Sequence, residues 1–581
     1  MTPLPPDDHK WVIYQMMIRL FGNLNTTNRP WGTRDENGVG KFGDVNGAAL
    51  AALRDLGATH VWYTGVIEHA LCTDYRAQGI PLDDADVVKG RAGSPYAIKD
   101  YYDVNPDLAA DVPNRMREFE ALVARTHDAG LGVLVDFVPN HVARHYQSDA
   151  KPEGVRDFGA DDDPTRAFAP NNNFYYLPGQ DFRPPAGYVP LGGQPYPTAD
   201  GAYAERPAKV SGNGAATTQP RADDWFETVR LNYGVNHPGD GRAHFEPVPN
   251  TWHKCLDVLL FWTRKGVDGF RCDMVEMVPV PFWAWVIPQV RAENAAIRFI
   301  GEIYNPALYD AYLHEGQFDY LYDKVGTYDA LRAVMEARPD ASLNQVAEVR
   351  KGLAHIDDRM LRFLENHDEQ RIASPPFAGD ARAGVPGMAV TAALGTGPVL
   401  VYFGQEVGEP GAGHSGFSGD DGRTTIFDYW GVPQHQRWVN GHRYDGGHLD
   451  EEQRTLRARD RRLLRAVRGS AALRTGAFYD LQAAQQGYPA YPADRVFSFF
   501  RYTADERVLV VANFIPESTH VRIHVPEEAL ALLRLPDDDD EWQARNLLNS
   551  QDETIAIRRV DTAAASLDFE LAGWSAVLLR F

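Results

Sequence analysis

The sequence predicts an α/β fold: a (β/α)8 (TIM) barrel with an irregular inserted domain after its third strand and an antiparallel β-sandwich at the C-terminus. Three observations carry this. Eight short β-rich apolar runs alternate with helical stretches through about the first 410 residues. The third run, "LGVLVDFVPNH" (131–141), is almost wholly apolar, as a strand covered on both faces should be. After about residue 470 the helical period stops and alternating strands take over ("RVFSFFRY", "RVLVVANF", "HVRIHV", "SAVLLRF").

The elements follow in order. "WVIYQMMIRLF" (11–21) reads as a strand, and a Gly-rich loop leads from it to the helix "VNGAALAALRDLG". "HVWYTG" (60–65) is the second strand and "NRMREFEALVARTHDAG" its helix, before the third strand at 131–141. The remaining candidates are "GVDGFRCDM", "IRFIGEI" (297–303), "FDYLYD" (318–323), "LRFLENHD" (361–368) and "PVLVYFGQE" (398–406), with helices such as "PFWAWVIPQVRAENAA" between them. From 142 to 226 the chain is rich in Gly, Pro, Asn and Asp and has no helical period. The expected division is a barrel over 1–141 and 227–469, an insert over 142–226 and a C-terminal domain over 470–581. The acidic run at 537–541 reads as a solvated loop.

The chain's 581 residues exceed a single simple core, and a net charge of −22 argues against nucleic acid and anionic membranes as partners. No apolar run approaches a membrane span. The start, "MTPLPPDDHKWVIY", has neither a basic n-region nor an apolar h-region. The three cysteines, Cys72, Cys255 and Cys272, are odd in number and do not have metal-knuckle spacing, so they read as reduced thiols. Together these favour the cytoplasm, or a secreted or periplasmic location had a signal peptide been removed. "GVGKFG" fits GxGxxG in form but follows a polar loop rather than a strand, so a dinucleotide site fails on context.

Strand ends at the C-terminal face are where barrels place their chemistry. Four of them carry acids: "VDFVPNH" with Asp136, Asn140 and His141; "GFRCDM" with Arg271 and Asp273; "FIGEIY" with Glu302; "ENHDEQR" with Asn366, His367 and Asp368. Residues two apart on a strand share a face, so Arg271 and Asp273 look into the same space. Any one such acid reads as structural, but four converging acidic ends would each carry a desolvation cost that packing does not explain.

These four stretches resemble the four short regions of glycoside hydrolase family 13, the α-amylase family, in the right order and on the right strands. "GSPYAIKDYYDVNPDLA" (93–109) and "YFGQEVGE" (402–409) are also similar to that family. The resemblance covers nearly the whole chain. It implies a retaining enzyme acting on an α-glucan or α-glucoside: Asp273 as nucleophile, Glu302 as general acid/base and Asp368 as transition-state stabiliser. Tyr96, Asp136, His141, Arg271, His367 and Arg371 are implied as substrate-binding residues. The implied activity is hydrolysis of α-1,4-glucosidic bonds, with transglycosylation as the alternative and a non-catalytic carbohydrate- or partner-binding relative a distant third.

Departures from the family pattern bear on metal and specificity. Of the family's calcium ligands Asn140 is present, but Arg230 and Met277 stand where an Asp and a His are usual, and neither suits a hard ion that wants oxygens. That calcium is expected to be absent, with no other cofactor required. A second calcium loop is echoed by "DENGVGKFGD" (35–44), where Asp35, Asn37 and Asp44 keep a weak capacity. Relatives acting on short isomaltose-like sugars often carry an Asp after the stacking Tyr, paired with the Arg matched here by Arg371. Ala97 stands in that place, which predicts a cleft open beyond the first sugar. Glu276 and Met277 replace the usual Lys-His pair and keep the transferase alternative open. The insert's aromatics (Phe174, Tyr175, Tyr176, Phe182, Tyr188) are expected chiefly to form its small core.

Overall fold

The computed structural model describes residues 10–485, 487–488, 491–533, 541–549, 554–558 and 565–581. Eight parallel strands form one sheet: β1 (Val12–Met17), β2 (His60–Thr64), β3 (Gly132–Phe137), β4 (Gly269–Cys272), β5 (Arg298–Gly301), β6 (Tyr320–Tyr322), β7 (Met360–Leu361) and β8 (Val399–Tyr402). Each pairs with the next in chain order, and β8 returns to β1. The remaining seam, β7 to β8, is closed by a parallel bridge between Arg362 and Val399. The first strand is shorter than its sequence suggests, because Ile18–Phe21 turns into a helical segment.

The strands' period of two sorts side chains into two layers. Ile13, Trp62, Leu134, Ile300, Tyr322, Leu361 and Leu400 face inward and form one cluster that plugs the barrel. Val12, Val61, Val133, Phe270, Cys272 and Phe299 face outward into the larger core beneath the helices, among them α1 (Gly47–Leu56), α2 (Arg115–Asp128), α3 (Asn250–Arg264) and α4 (Val280–Glu293). Two residues beyond four members of the plug stand Gln15, Thr64, Asp136 and Glu302, so strand periodicity places a polar layer directly above it. Cys272 lies in the outer layer, and all three cysteines are buried and unpaired.

The segment after β3 contains only two- and three-residue strands, such as Tyr176–Leu177 paired with Ala208–Lys209. One strand of this kind, Thr228–Arg230, pairs antiparallel with His141–Ala143 and so ties the end of the insert to the mouth of β3. Phe174, Tyr175, Tyr176 and Phe182 are buried there, and the Tyr188 hydroxyl donates to Val88 O.

At the C-terminus a six-stranded antiparallel sheet and a two-stranded pair carry the predicted strands. Of the acidic run 537–541, residues 537–540 lie outside the described residues, and Glu541 begins a strand. Among the described residues no helix is long and apolar enough to cross a membrane.

Candidate active site

Arg271 is the hub. It is 1% exposed, on β4, and its guanidinium lies between the rings of Trp62, Tyr96 and Tyr322. Nη1 donates to Asp273 Oδ1 at 2.8 Å and lies 3.5 Å from Asp136 Oδ1. Nη2 forms an ion pair with Glu302 Oε1 at 2.8 Å, and Nε donates to the Tyr322 hydroxyl at 3.1 Å. One cation therefore holds the carboxylates of three strand ends. A guanidinium spreads its charge over nitrogens that reach all three carboxylates, which a lysine's point charge does not.

Glu302 is fixed at both oxygens. Oε2 accepts the Met274 backbone N–H at 2.8 Å, and Oε1 accepts the Tyr304 hydroxyl at 2.6 Å. Met274, directly after Asp273, sits in the left-handed region at φ 44° and ψ 48°, a conformation costly for a side-chain-bearing residue. That turn aims its N–H at the carboxylate across the pocket.

His367 links the opposite wall. Gln15 Nε2 lies 2.8 Å from its Nδ1, while its Nε2 contacts the Tyr96 hydroxyl at 2.6 Å and Asp368 Oδ2 at 3.0 Å. Tyr96 stacks on the His367 ring at 5.2 Å. Asp136 accepts the Trp62 indole N–H at 3.0 Å. The Asn140 amide nitrogen lies 3.1 Å from His141 Nδ1, which leaves Nε2 without a hydrogen-bond partner among the described residues, and His141 lines the cavity.

The electrostatics divide the acids. Burial would raise Asp368, but His367, by charge and hydrogen bond, and Arg271 outweigh it and hold the carboxyl at about 2. Burial and then the neighbouring Glu302 charge push Asp273 above the usual carboxylate range, while Arg271 pulls it back. Burial also raises Asp136 and drives His141 down to about 3, so His141 is a neutral hydrogen-bonding group.

Asp273, Glu302, Asp368, Tyr96 and His141 line one cavity of about 210 Å3. Arg271, His367 and Asp136 lie just behind its wall. Arg371 does not reach it: the side chain is fully buried, donating to Glu365 Oε2 and Thr424 Oγ1 at 2.8 Å each, with its guanidinium 4.1 Å from the Tyr402 ring centroid. It braces the loop after Asp368. Ala97 is likewise enclosed, packed with Ala70, Cys72 and Ala143, so its small size opens nothing beside Tyr96. The cavity is instead walled by Lys89, Trp225, Glu227 and Phe427, with Lys89 and Glu227 paired at 3.0 Å. A larger cleft of about 730 Å3 between helix Leu343–Gly352 and the C-terminal sheet contains no strand end of the barrel.

Several participants escape the motif reading. Gln15, Trp62 and Tyr322 were accessible through strand periodicity, being inward-facing residues of β1, β2 and β6. Lys89, Trp225 and Glu227 lie outside the barrel strands, and no local pattern marks them. At the residues matched to calcium ligands, Asn140 also donates to Gly212 O at 2.9 Å, and the Arg230 guanidinium lies 3.4 Å from His237 Nε2. In the second loop Asp35 is exposed and paired with Arg34, the Asn37 amide donates to Arg29 O and Tyr429 O, and Asp44 accepts from Lys41 N.

Comparison with known proteins agrees with this architecture. The family model for the α-amylase catalytic domain matches residues 21–182 and 246–440. A cyclomaltodextrinase from Geobacillus thermopakistaniensis is 24% identical over 424 residues, covering 69% of this chain and 56% of that protein. An α-1,4-glucan:maltose-1-phosphate maltosyltransferase from Pseudomonas aeruginosa is 26% identical over 320 residues, covering 52% of this chain and 40% of that protein. The chain thus spans little more than half the length of the first relative and less of the second. An α-amylase from Geobacillus thermoleovorans, solved with acarbose, shares the fold at a TM-score of 0.61 and 18% identity, over 99% of this chain and 98% of that one. With its catalytic-domain model matched over most of the barrel and the acids assembled at the barrel's mouth, the chain belongs to the α-amylase family, glycoside hydrolase family 13.

Proposed function

We propose that the protein is a retaining α-glucan hydrolase that cleaves α-1,4-glucosidic bonds through a covalent glycosyl-Asp273 intermediate. The observation that carries this is the shared fork of Arg271, which holds Asp273 and Glu302 on its two terminal nitrogens at 2.8 Å each. Both carboxylates also line the same cavity, as the nucleophile and the acid of a retaining pair do.

The steps follow from the contacts. Protonated Glu302 donates to the glycosidic oxygen as Asp273 attacks the anomeric carbon. The aglycone leaves, and a sugar ester to Asp273 remains. Glu302, now ionised, takes a proton from water as that water attacks the same carbon and frees Asp273. Positive charge develops on the ring in both transition states, and Asp368, its carboxyl held low by His367 and Arg271, lines the same cavity to stabilise it. Tyr96 offers the ring a stacking face and His141 a hydrogen bond, while His367, behind the wall, positions Tyr96 and Asp368.

The substrates proposed are starch, maltooligosaccharides or cyclodextrins, with one sugar seated in the cavity between Asp273, Glu302 and Asp368. A second reading, transglycosylation, is favoured by the maltosyltransferase relative and uses the same intermediate, resolved by a sugar hydroxyl in place of water. Incubation with maltoheptaose, with products resolved by chromatography and reducing ends counted, tests both. Rising reducing ends with only shorter sugars support hydrolysis, and flat reducing ends with longer products support transfer. An Asp273→Asn variant that turns over glucans at the wild-type rate would overturn the nucleophile assignment.

A further inference from the structure

The hairpin after β2 holds an arrangement that catalysis does not use. Its strands, Ile67–His69 and Ile98–Val104, run antiparallel, and Glu68 lies directly opposite Asp100, with a register irregularity on either side of Glu68. Like charges directly opposite weaken a strand pair, and here both are enclosed, Glu68 at 1% exposure and Asp100 at 0%. Asp149, from the start of the insert, joins them. One carboxylate oxygen from each of the three residues lies within 4.8 Å of the others.

The neighbouring cations do not balance this charge. Lys99 Nζ donates to Pro81 O at 2.8 Å and pairs with Asp83 at 3.2 Å, remaining 3.8 Å from Glu68 Oε1. Arg115 is bonded to Asp103 and stands 3.8 Å from Asp149. Both cations therefore have carboxylate partners outside the trio. Glu68 Oε2 is buried without any hydrogen-bond partner, a state that ordinarily carries a substantial desolvation cost. The cluster is also preorganised: Asp100 Oδ1 accepts Tyr102 N, and Oδ2 accepts the backbone N–H groups of Asp149 and Ala150 at 2.9 and 3.0 Å.

We propose that Glu68, Asp100 and Asp149 form a divalent-cation site of the calcium type that pins the inserted domain to the hairpin. All three ligands are hard oxygens. The three oxygens lie within 4.8 Å of one another, close enough for one divalent cation to contact all three. Carboxylates brought from three separate segments suit calcium, which accepts irregular geometry, better than magnesium, which demands a near-ideal octahedron. The cation supplies the positive charge that Lys99 and Arg115 direct elsewhere, and it gives Glu68 Oε2 a partner. The site involves neither Asn140 nor the 35–44 loop, and it stands independently of the catalytic reading.

The test uses the full chain, stripped with EDTA and titrated with Ca2+ by calorimetry, with thermal unfolding followed in parallel. The expected result is one bound Ca2+ and a rise in Tm on the order of 2–5 °C at saturation. A Glu68→Gln, Asp149→Asn double variant should bind at least about tenfold more weakly and lose the Tm response, while an Asp35→Asn, Asp44→Asn variant keeps both. Because Glu68→Gln alone removes the opposed charges, the stripped single variant should melt above the stripped wild type, which separates loss of a ligand from loss of the fold. Absence of Ca2+ binding at millimolar concentration by the stripped wild type would overturn the proposal. So would tighter binding of Mg2+ than Ca2+, or unchanged binding by the double variant.

Discussion

At the scale of the residue, Arg271 decides whether three buried acids make a site or a liability. Taking several carboxylates out of water is costly, and the cost is offset only where a cation with matching geometry reaches them. Arg271 meets Asp273, Glu302 and Asp136 at once. Lysine in its place keeps a charge but cannot reach several partners through fixed directions. Arg271→Lys should therefore lower kcat by about 10²–10³-fold, the loss expected when a preorganised donor is removed, with a much smaller effect on KM. The pH profile carries the sharper sign. On the proposed mechanism Asp273 must be ionised to attack, and Arg271 is what opposes the upward push of burial and Glu302. A weaker cation leaves the Asp273 pKa higher, so the acid limb of kcat/KM should move to higher pH in the variant. A profile merely scaled down, with its acid limb unmoved, would mean that Arg271 does not hold Asp273 ionised.

At the scale of the element, the strands deliver the chemistry and the loops close it, and the two differ in how far sequence reveals them. The acids at the ends of β3, β4 and β5 are legible because a period of two fixes which residues face inward, and the order of the strand ends fixes which of them meet. The walls supplied by Lys89, Trp225 and Glu227 depend on how irregular segments fold back, which no local pattern encodes. Arg371 and Ala97 show the same limit from the other side: each is matched by motif, but tertiary packing encloses its side chain away from the cavity.

Helices carry their own hidden chemistry. On the long helix Glu451–Gly469, Asp460 is buried, and burial followed by the charge of Glu406 raises its carboxyl to about 8. Its unfolded value is near 3.9. Between those values the folded state holds a proton that the unfolded state has released, so stability falls as pH rises from about 4 to 8 and the penalty is complete above 8. Asp460→Asn should accordingly stabilise the protein at pH 8.5, by up to a few kcal/mol, and have much less effect at pH 5. Urea unfolding at the two pH values measures it, and equal effects at both would show that Asp460 is ionised throughout.

At the scale of the whole molecule, the C-terminal sheet belongs to the barrel's core. Alternate residues of its strands Val496–Tyr502 and Arg507–Asn513 face opposite ways. Phe497, Phe499, Val508, Val510 and Ala512 join the barrel's main core cluster, while Val496, Phe500, Leu509 and Val511 build the separate core of the C-terminal domain. Between sheet and barrel lies the helix Gly384–Ala393, apolar nearly all round and buried on nine of its ten residues, a pattern stable only where both sides are covered. Buried Arg501 adds polar ties by donating to Leu394 O at 2.8 Å and to Gly476 O. Burying these large side chains is worth on the order of 10 kcal/mol by area, comparable with the whole stability of a typical domain. The barrel should therefore be unable to stand alone. A chain ending at residue 469 is expected to be recovered as aggregate, or to bind a hydrophobic dye strongly, and the full chain to unfold through barrel and C-terminal domain together in one calorimetric transition. A soluble 1–469 fragment that keeps wild-type turnover and melting temperature would show that the shared core is contact without consequence. Two separate transitions in the full chain would show that the C-terminal domain folds on its own account.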